Sequence, residues 1–346
     1  MHRLIFSSVG VLLVVFRWAQ ADPLLDIMQQ EEGFAGVVLV GDETGQATFR
    51  ATGFADDAAE TPFAKDDIWR WASVTKQLIG VLIMQEVEAG RLSLDDTLAE
   101  RLPEAKTRHA KTITIKNLLQ HTSGMRPPSG LPPEGADRID FCASRALRKP
   151  GERFAYNGCE TVLAAEILSR SAGKNWRTLM KERIFDPAGM MRTAAKLPGE
   201  GRAIVGGYLA DGSREGPFDV AVLDADGSVI GPATDLALFD AAMMRGDLLS
   251  DESREILWTG APKFGFVALG VWSFSAPLDG CGSDPVALVE RRGALFGVQA
   301  RNFIVPERNI SLIAFTNRQA FDFGEVWTGQ GFSYELLSEA VCKAAQ

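Results

Sequence analysis

Two residues, Ser73 and Lys76, have the types and the spacing needed for nucleophilic chemistry. A serine hydroxyl attacks a carbonyl group well only when a base removes its proton, and a lysine amine held partly neutral can be that base. Apolar residues recur at helical spacing between Leu78 and Val87, so a helix that begins at Ser73 would place the two side chains one turn apart. Its N-terminus would also favour negative charge on the serine oxygen.

The Ser-x-x-Lys pattern is short, and it occurs a second time at Ser171 and Lys174. The second copy contains Gly173 and lies in polar surroundings, which is typical of a helix end exposed to solvent. The chemistry at Ser73 therefore needs support from other parts of the chain.

Other catalytic and metal chemistries have little basis in this sequence. Beyond residue 21 the chain has only His109 and His121, and it has no Gly-x-Ser-x-Gly pattern, so a Ser-His-Asp hydrolase is disfavoured. We interpret His121 as a structural histidine in a loop and His109 as a surface residue. No Cys-x-x-Cys pattern or closely spaced histidine pair occurs, so we predict neither a metal nor another cofactor.

The elements that must position Ser73 follow from hydrophobic periodicity and turn residues. Strands are predicted at both ends of the chain, at 34–40, 46–54, 266–274, 286–291, 298–305 and 310–316. The clearest predicted helices are 23–31, 161–171, 175–185, 234–245 and 331–344. This order predicts an α/β (α+β) fold whose antiparallel sheet is formed by the N- and C-terminal segments and flanked by helices. We expect an α/β lobe of residues 22–94 and 231–346, with an inserted, mostly helical lobe of residues 95–230 and a ligand cleft between them.

Residues 1–21 have the pattern of a secretion signal, with Arg3, an apolar core and a small-x-small site at Ala19 and Ala21. We expect an exported protein without a membrane span after cleavage, periplasmic if the source is bacterial. An uncleaved membrane anchor is the alternative, since Arg17 follows the apolar core. The formal net charge of the whole chain is −9, which disfavours nucleic-acid binding.

Four cysteines, an even number, suggest two disulfides in an oxidising compartment. Three pairings are possible, and we favour the one that joins sequence neighbours; buried free thiols are the alternative. The favoured pairs are Cys142 with Cys159 and Cys281 with Cys342.

A set of ordered segments across residues 22–346 resembles the serine β-lactamase-related superfamily, which includes class C β-lactamases, D,D-peptidases and esterases. The segments in order are WASVTKQL, LLQHTSGM, GERFAYNGCETVLAAEIL, FDPAGMMRT, GPATDLALF, ERRGALFGVQARNFIVPERN and AFTN.

The resemblance implies a role for each matching residue. Ser73 would be the acylated nucleophile, Lys76 its proton acceptor or relay, and Tyr156 a second acid/base group. The backbone N–H groups of Ser73 and Ala294 would form an oxyanion hole. Gly293 would let a substrate backbone approach its strand closely.

The sequence departs from the family pattern at two positions. The family's Tyr-x-Asn segment ends here in Gly158, so the amide that holds amide substrates and contacts the motif lysine is missing; Asn157 could replace it after a local shift. If this absence limits the enzyme, Gly158→Asn should raise amide turnover. Arg291 stands where lysine or histidine is usual, and it could attract an anionic substrate and stabilise the Tyr156 phenolate.

Three functions stay open at this point. The first is a serine hydrolase that forms an acyl-enzyme with a β-lactam, a D-Ala peptide or a related small acyl substrate. The second is an esterase of the same family, which the absence of an asparagine at Gly158 favours. The third is a non-catalytic relative that binds peptidoglycan-like ligands or a partner, which the retained Ser73, Lys76 and Tyr156 disfavour. We expect a monomer.

Overall fold

An antiparallel sheet of six strands joins the two ends of the chain. The computed structural model describes residues 22–133, 135–143, 147–195 and 204–343. Its strands are β1 Gly36–Asp42, β2 Ala47–Thr52, β3 Phe54–Asp56, β4 Thr61–Pro62, β5 Trp69–Arg70, β6 Ala194–Ala195, β7 Val229–Gly231, β8 Trp272–Ala276, β9 Val286–Leu295, β10 Val298–Val305 and β11 Ile310–Thr316. The main sheet has the order β2-β1-β11-β10-β9-β8. The predicted sheet of N- and C-terminal segments is thereby confirmed.

Helices cover both faces of this sheet, because side chains alternate between the faces along each strand. In β1, Val37 and Leu39 enter one hydrophobic core and Val38 enters the other, and all three are fully buried. The helices are α1 Pro23–Gln30, α2 Thr75–Glu88, α3 Leu98–Arg101, α4 Ile115–Leu119, α5 Arg138–Cys142, α6 Gly158–Ala172, α7 Trp176–Met180, α8 Asp186–Ala188, α9 Ala233–Arg245, α10 Asp251–Leu257 and α11 Phe332–Ser338. Helices α2 and α9 pack on the first face, and α1 and α11 pack on the second.

A small sheet of order β5-β7-β6 lies beside the start of α2. It connects the segment before Ser73 to the long insertion that carries α3 to α8. Helix α6 packs directly against α2, α4 and α5. The insertion thus packs against α2, the helix that follows Ser73. The lobe boundaries at 95 and 230 remain predictions.

Two element boundaries differ from those predicted. The strand expected at 266–274 begins only at Trp272, because Phe266 and Gly270 take left-handed φ values of 62° and 80° that interrupt an extended chain. The helix expected to begin at Ser73 begins at Thr75 instead, after a short 3₁₀ turn, Ala72–Val74. This turn has no signal in the sequence, because tertiary packing imposes the left-handed φ of Ala72.

The predicted signal at residues 1–21 lies outside the described residues. Within the part of the chain that the structure describes, no helix has the length and apolar character needed to cross a membrane.

Candidate active site

Ser73 lies in the 3₁₀ turn Ala72–Val74 between β5 and α2. Ala72 has φ +47°, a left-handed conformation that non-glycine residues rarely adopt, so the turn is strained. Trp71 anchors it: its backbone N–H donates to the carbonyl of Val229 at 3.0 Å, and its indole Nε1 donates to that of Gly231 at 3.0 Å. Neighbouring β7 therefore helps to hold the nucleophile's turn in place.

Two side chains converge on the oxygen of Ser73. Lys76 Nζ donates a hydrogen bond to Ser73 Oγ at 3.0 Å, and the Tyr156 hydroxyl donates to the same atom at 2.7 Å. The side chain of Lys76 is fully buried, whereas Tyr156 is 41% exposed. The structure therefore brings the three predicted chemical groups together, with the lysine behind the serine and the phenol at the solvent side.

Arg291 supports this group from β9 and is itself only 2% exposed. Its Nε donates to the backbone carbonyl of Ser73 at 2.7 Å, and its Nη2 donates to the hydroxyl of Tyr156 at 2.9 Å. The predicted stabilisation of a Tyr156 phenolate fits this position. Binding of a substrate carboxylate by Arg291 remains a prediction.

The electrostatics of the site favour ionisation of Tyr156. Desolvation of the phenol opposes its ionisation, but the positive charges of Lys76 and Arg291 outweigh that effect and lower the pKa of Tyr156 below its usual value. The negative charge of Asp226 acts in the opposite direction. Tyr156 is thus a phenol whose anion is stabilised by two cations, which is a property expected of a general base.

Asp226 is a site residue that the sequence analysis missed. Its carboxylate pairs with the ammonium group of Lys76, and its backbone carbonyl accepts a hydrogen bond from Lys76 Nζ at 2.6 Å. Asp226 follows Lys76 by 150 residues and ends a 3₁₀ segment, Val220–Asp226, that carries no motif. The sequence pointed to Asp226 only indirectly. Gly158 replaces the asparagine that contacts the motif lysine in the family, so another residue had to contact Lys76.

The segment that carries Asp226 is itself held firmly. Asp224 takes φ +52° and ψ −139°, which bends the chain immediately before Asp226. Trp176 Nε1 donates to Asp224 Oδ1 at 3.0 Å, and the guanidinium of Arg177 lies 3.3 Å from the same oxygen. Gly227 packs against the backbone of Ala72, which places this segment beside the turn of Ser73.

Gly158 and Asp226 share one small region of space. A Cβ added to Gly158 would overlap the carboxylate of Asp226, with both carboxylate oxygens well inside contact distance. Asp226 therefore occupies the volume of the missing side chain and also provides the contact to Lys76.

Asn157 has a different local environment from the one expected. It is 1% exposed and is the N-cap of α6, where its Oδ1 accepts a hydrogen bond from the backbone N–H of Cys159 at 3.1 Å. Its Nδ2 is buried without a hydrogen-bond partner among the described residues. The predicted replacement of the family's amide contact to Lys76 is wrong, because Asp226 makes that contact. Substrate binding by Asn157 remains a prediction.

The two residues predicted on β9 next to Arg291 differ in exposure. Gly293 is buried, and a Cβ there would collide with the backbone carbonyl of Trp71. The packing of β9 against the Ser73 turn therefore explains its lack of a side chain, and the approach of a substrate to Gly293 remains a prediction. Ala294 is exposed at the same end of the strand, and its part in an oxyanion hole remains a prediction.

A buried polar cluster supports the ring of Tyr156. His121 is 2% exposed, its ring centroid lies 4.5 Å from that of Tyr156, and its Nδ1 lies 2.8 Å from Glu160 Oε2. The Ser123 hydroxyl donates to the other Glu160 oxygen. Desolvation raises the pKa of Glu160 well above its usual value and lowers that of His121 well below its own, which favours the neutral form of each group. The main hydrogen-bond partner of His121 is thus a side chain rather than backbone, and its structural role remains a prediction.

Both disulfides have the pairing that sequence proximity favoured. Cys142 is joined to Cys159, which connects α5 to the first turn of α6 next to the Tyr156 segment. Cys281 is joined to Cys342, which connects the loop after β8 to the C-terminal helical segment. Within the described ranges, no group of three or more His, Cys, Asp or Glu side chains could hold a metal ion.

A comparison with known families decides the class of this chain. Residues 21–331 match the model of the family described as "Beta-lactamase". The chain belongs to the beta-lactamase family. It is thus a member of a hydrolase superfamily that also contains penicillin-binding proteins.

Curated relatives within this family differ in their named activities. The putative penicillin-binding protein PbpX of Bacillus subtilis is 28% identical over 66% of this chain and 60% of its own length. Esterase EstB of Burkholderia gladioli is 29% identical over 50% of this chain and 50% of its own length. The chain thus spans only about half to three fifths of these relatives.

The fold is shared with solved members of the superfamily. The crystal structure of the D-amino acid amidase from Ochrobactrum anthropi SV3 in complex with L-phenylalanine amide aligns over 94% of this chain and 99% of its own. Its TM-score is 0.77 at 20% sequence identity. At this identity the likeness establishes the fold alone.

Proposed function

We propose that the protein is a serine hydrolase that forms a covalent acyl-enzyme at Ser73. The observation that carries the proposal is the meeting of Lys76 Nζ and the Tyr156 hydroxyl at Ser73 Oγ, at 3.0 and 2.7 Å. Both distances are within the range needed for proton transfer.

In the proposed reaction, Tyr156 reacts as a phenolate that Lys76 and Arg291 stabilise. The phenolate takes the proton of Ser73, and Ser73 Oγ forms a bond to the substrate's carbonyl carbon. The negative charge on the carbonyl oxygen is stabilised by the backbone N–H groups of Ser73 and Ala294. Collapse of this intermediate breaks the bond to the leaving group, which takes the proton from Tyr156.

Deacylation repeats these steps with water as the nucleophile. Tyr156 accepts a proton from the water while the oxygen of the water bonds to the acyl carbon. The bond between that carbon and Ser73 Oγ then breaks, Ser73 regains the proton from Tyr156, and the acid product leaves. Lys76 Nζ contacts both Ser73 Oγ and the carboxylate of Asp226. We therefore assign it electrostatic support here, in place of the role of proton acceptor or relay that the resemblance implies.

The substrate class we propose is a β-lactam, a D-Ala peptide or a related small acyl compound. An esterase is the second candidate, and a specific observation favours it. The amide side chain expected after Tyr156 is absent at Gly158, and a carboxylate fills its place. An ester needs less support from such an amide group than a peptide or a lactam does.

Labelling experiments test the mechanism directly. We expect a fluorophosphonate and a fluorescent penicillin to label the wild-type protein at Ser73, and Ser73→Ala to lose the label. Intact-protein mass spectrometry after mixing with a penicillin, an ester and a D-Ala-D-Ala peptide then shows which of them leaves an acyl adduct and for how long. If none of the reagents modifies Ser73, the non-catalytic binding protein is favoured instead.

We also propose that the protein is exported. Two disulfides within the described chain fit an oxidising compartment. Detection of a mature N-terminus after residue 21 in secreted or periplasmic material would test this, and the monomeric state is tested by light scattering on the same material.

A further inference from the structure

Asp226 brings a negative charge to the part of the site where an acyl group must lie. Its side chain is 32% exposed, while that of its partner Lys76 is fully buried. Lys76 Nζ lies 3.0 Å from Ser73 Oγ, so the carboxylate is within about 6 Å of the reacting oxygen, given the length of one further hydrogen bond. A substituent on the carbon next to the scissile carbonyl can therefore reach it.

The carboxylate also borders a small cavity of about 140 Å³. Leu131, Phe141 and Val222 form apolar parts of its wall, and other parts of the wall are polar. Arg138 also lines it and lies 3.7 Å from the carboxylate of Asp224. Asn157 lines it as well, and its buried Nδ2 has no hydrogen-bond partner within the described part of the chain. The cavity thus combines an acceptor, a spare donor and space for a small apolar group.

These groups discriminate between substrates by charge. An ionised carboxylate accepts hydrogen bonds and donates none, so it binds an ammonium or N–H group and offers no donor to a carboxylate. Asn157 Nδ2 can donate only to an acceptor, such as a carbonyl oxygen. An amino acid residue with a free amine carries this combination of groups, and its side chain, if small, fits the remaining space.

We propose that Asp226 makes the enzyme selective for acyl groups that carry a protonated amine beside the scissile carbonyl and a small side chain. This inference rests on the proposed acyl-enzyme mechanism and specifies its substrate. Acyl groups with a neutral amide at that position are accepted less well, and those with a carboxylate there are accepted least. Asp226 is thus a specificity residue in addition to its contact with Lys76.

A matched substrate series tests the proposal on the wild-type protein. The series consists of alanine p-nitroanilide with a free amine, its N-acetyl derivative and its N-succinyl derivative, each in the D and L forms. We expect kcat/KM to fall in that order, by about tenfold or more at the first step. For the free amine, kcat/KM should also fall relative to that of the N-acetyl compound as pH rises through the amine's own pKa, near 8.

Asp226→Asn keeps the size of the side chain and removes its charge. We expect it to reduce the preference for the free amine over the N-acetyl compound by about tenfold, beyond any general loss shared by all three substrates. Asp279→Asn is the matched control, because Asp279 pairs with Lys343 at the surface, and it should leave the preference unchanged. Thermal unfolding of each variant verifies that it is folded.

The results distinguish a failure of the selectivity proposal from a failure of the acyl-enzyme mechanism on which it rests. If Ser73 is labelled by the fluorophosphonate but the three derivatives are hydrolysed equally well, or Asp226→Asn leaves their order unchanged, the selectivity proposal is overturned and the mechanism stands. If Ser73 is never modified and no derivative is hydrolysed, the mechanism fails first.

Discussion

The carboxylate of Asp226 fills the space beside Gly158 in which any larger residue would place its Cβ. The two positions are therefore coupled: a Cβ at 158 requires the carboxylate of Asp226 to rotate away from its place beside Lys76. This coupling reverses the sequence-based expectation that Gly158→Asn would raise amide turnover.

Gly158→Asn alone should reduce activity and stability. The new Cβ overlaps a carboxylate that cannot move without leaving Lys76, and overpacking of this kind costs about 1–3 kcal/mol of unfolding free energy. We expect kcat/KM to fall about tenfold or more on every substrate, measured together with thermal unfolding.

Removal of the coupled side chain is the decisive control for this variant. In Gly158→Asn/Asp226→Ala the collision is absent, and the asparagine amide can reach Lys76, so the double variant should be more active than Gly158→Asn. Gly173→Asn at the other end of α6, where a Cβ meets open space, should have little effect. Simple additivity of the two single variants would contradict the coupling.

Tyr156→Phe should reduce kcat by about 10²- to 10⁴-fold, with little change in KM, because the ring is kept while the proton acceptor is lost. Steady-state kinetics on a p-nitrophenyl ester measure this effect. Tyr334→Phe, in α11 on the opposite face of the sheet, is the matched control and should behave like the wild type. Activity close to that of the wild type in Tyr156→Phe would exclude Tyr156 as the base.

The pH dependence should respond to the charges around Tyr156. A phenolate base is active above its pKa, so kcat/KM on a neutral ester rises as pH rises through that value. Arg291→Gln removes a cation that lowers the pKa of Tyr156, and the rising limb should move to higher pH. Asp226→Asn removes an anion that raises the pKa, so the limb should move to lower pH. Shifts in the same direction would contradict this electrostatic account.

The two disulfides should contribute differently to activity and stability. Loop-entropy estimates give about 3 kcal/mol for the separation of 17 residues between Cys142 and Cys159 and about 4 kcal/mol for the 61 residues between Cys281 and Cys342. Replacement of either pair by alanine should lower the unfolding free energy by amounts of this order, measured by urea denaturation. Only loss of the first pair should also lower kcat, because Cys159 adjoins the Tyr156 segment. Equal effects on kcat would argue against this distinction.

Short-range patterns predicted much of the fold. The apolar run of β1 and the helical spacing after Ser73 reflect burial within each segment. The ordered motifs placed Tyr156 and Arg291 near the serine. The 3₁₀ turn at Ser73 and the late start of β8 were missed, because left-handed φ values at Ala72 and Phe266 result from tertiary packing that overrides local preference.

Asp226 shows the limit of such reasoning most clearly. It has no motif, and its contact with Lys76 spans 150 residues of chain. Gly158 indicated that something was missing, but only the three-dimensional structure shows which residue fills the space. Arg291 was identified correctly as a cation near Tyr156, whereas its burial beneath the phenol could not be read from the sequence.

The pairing of β1 with both β2 and β11 has a consequence for the order of events during synthesis. β1 is made early, yet one of its edges has no partner until residues 310–316 leave the ribosome, so the nascent chain carries an unpaired apolar strand for most of its translation. A protein cut short before β11 would lack a completed sheet behind α2 and would be a target for chaperones and proteases. We therefore expect the proposed activity to arise only after β11 has docked.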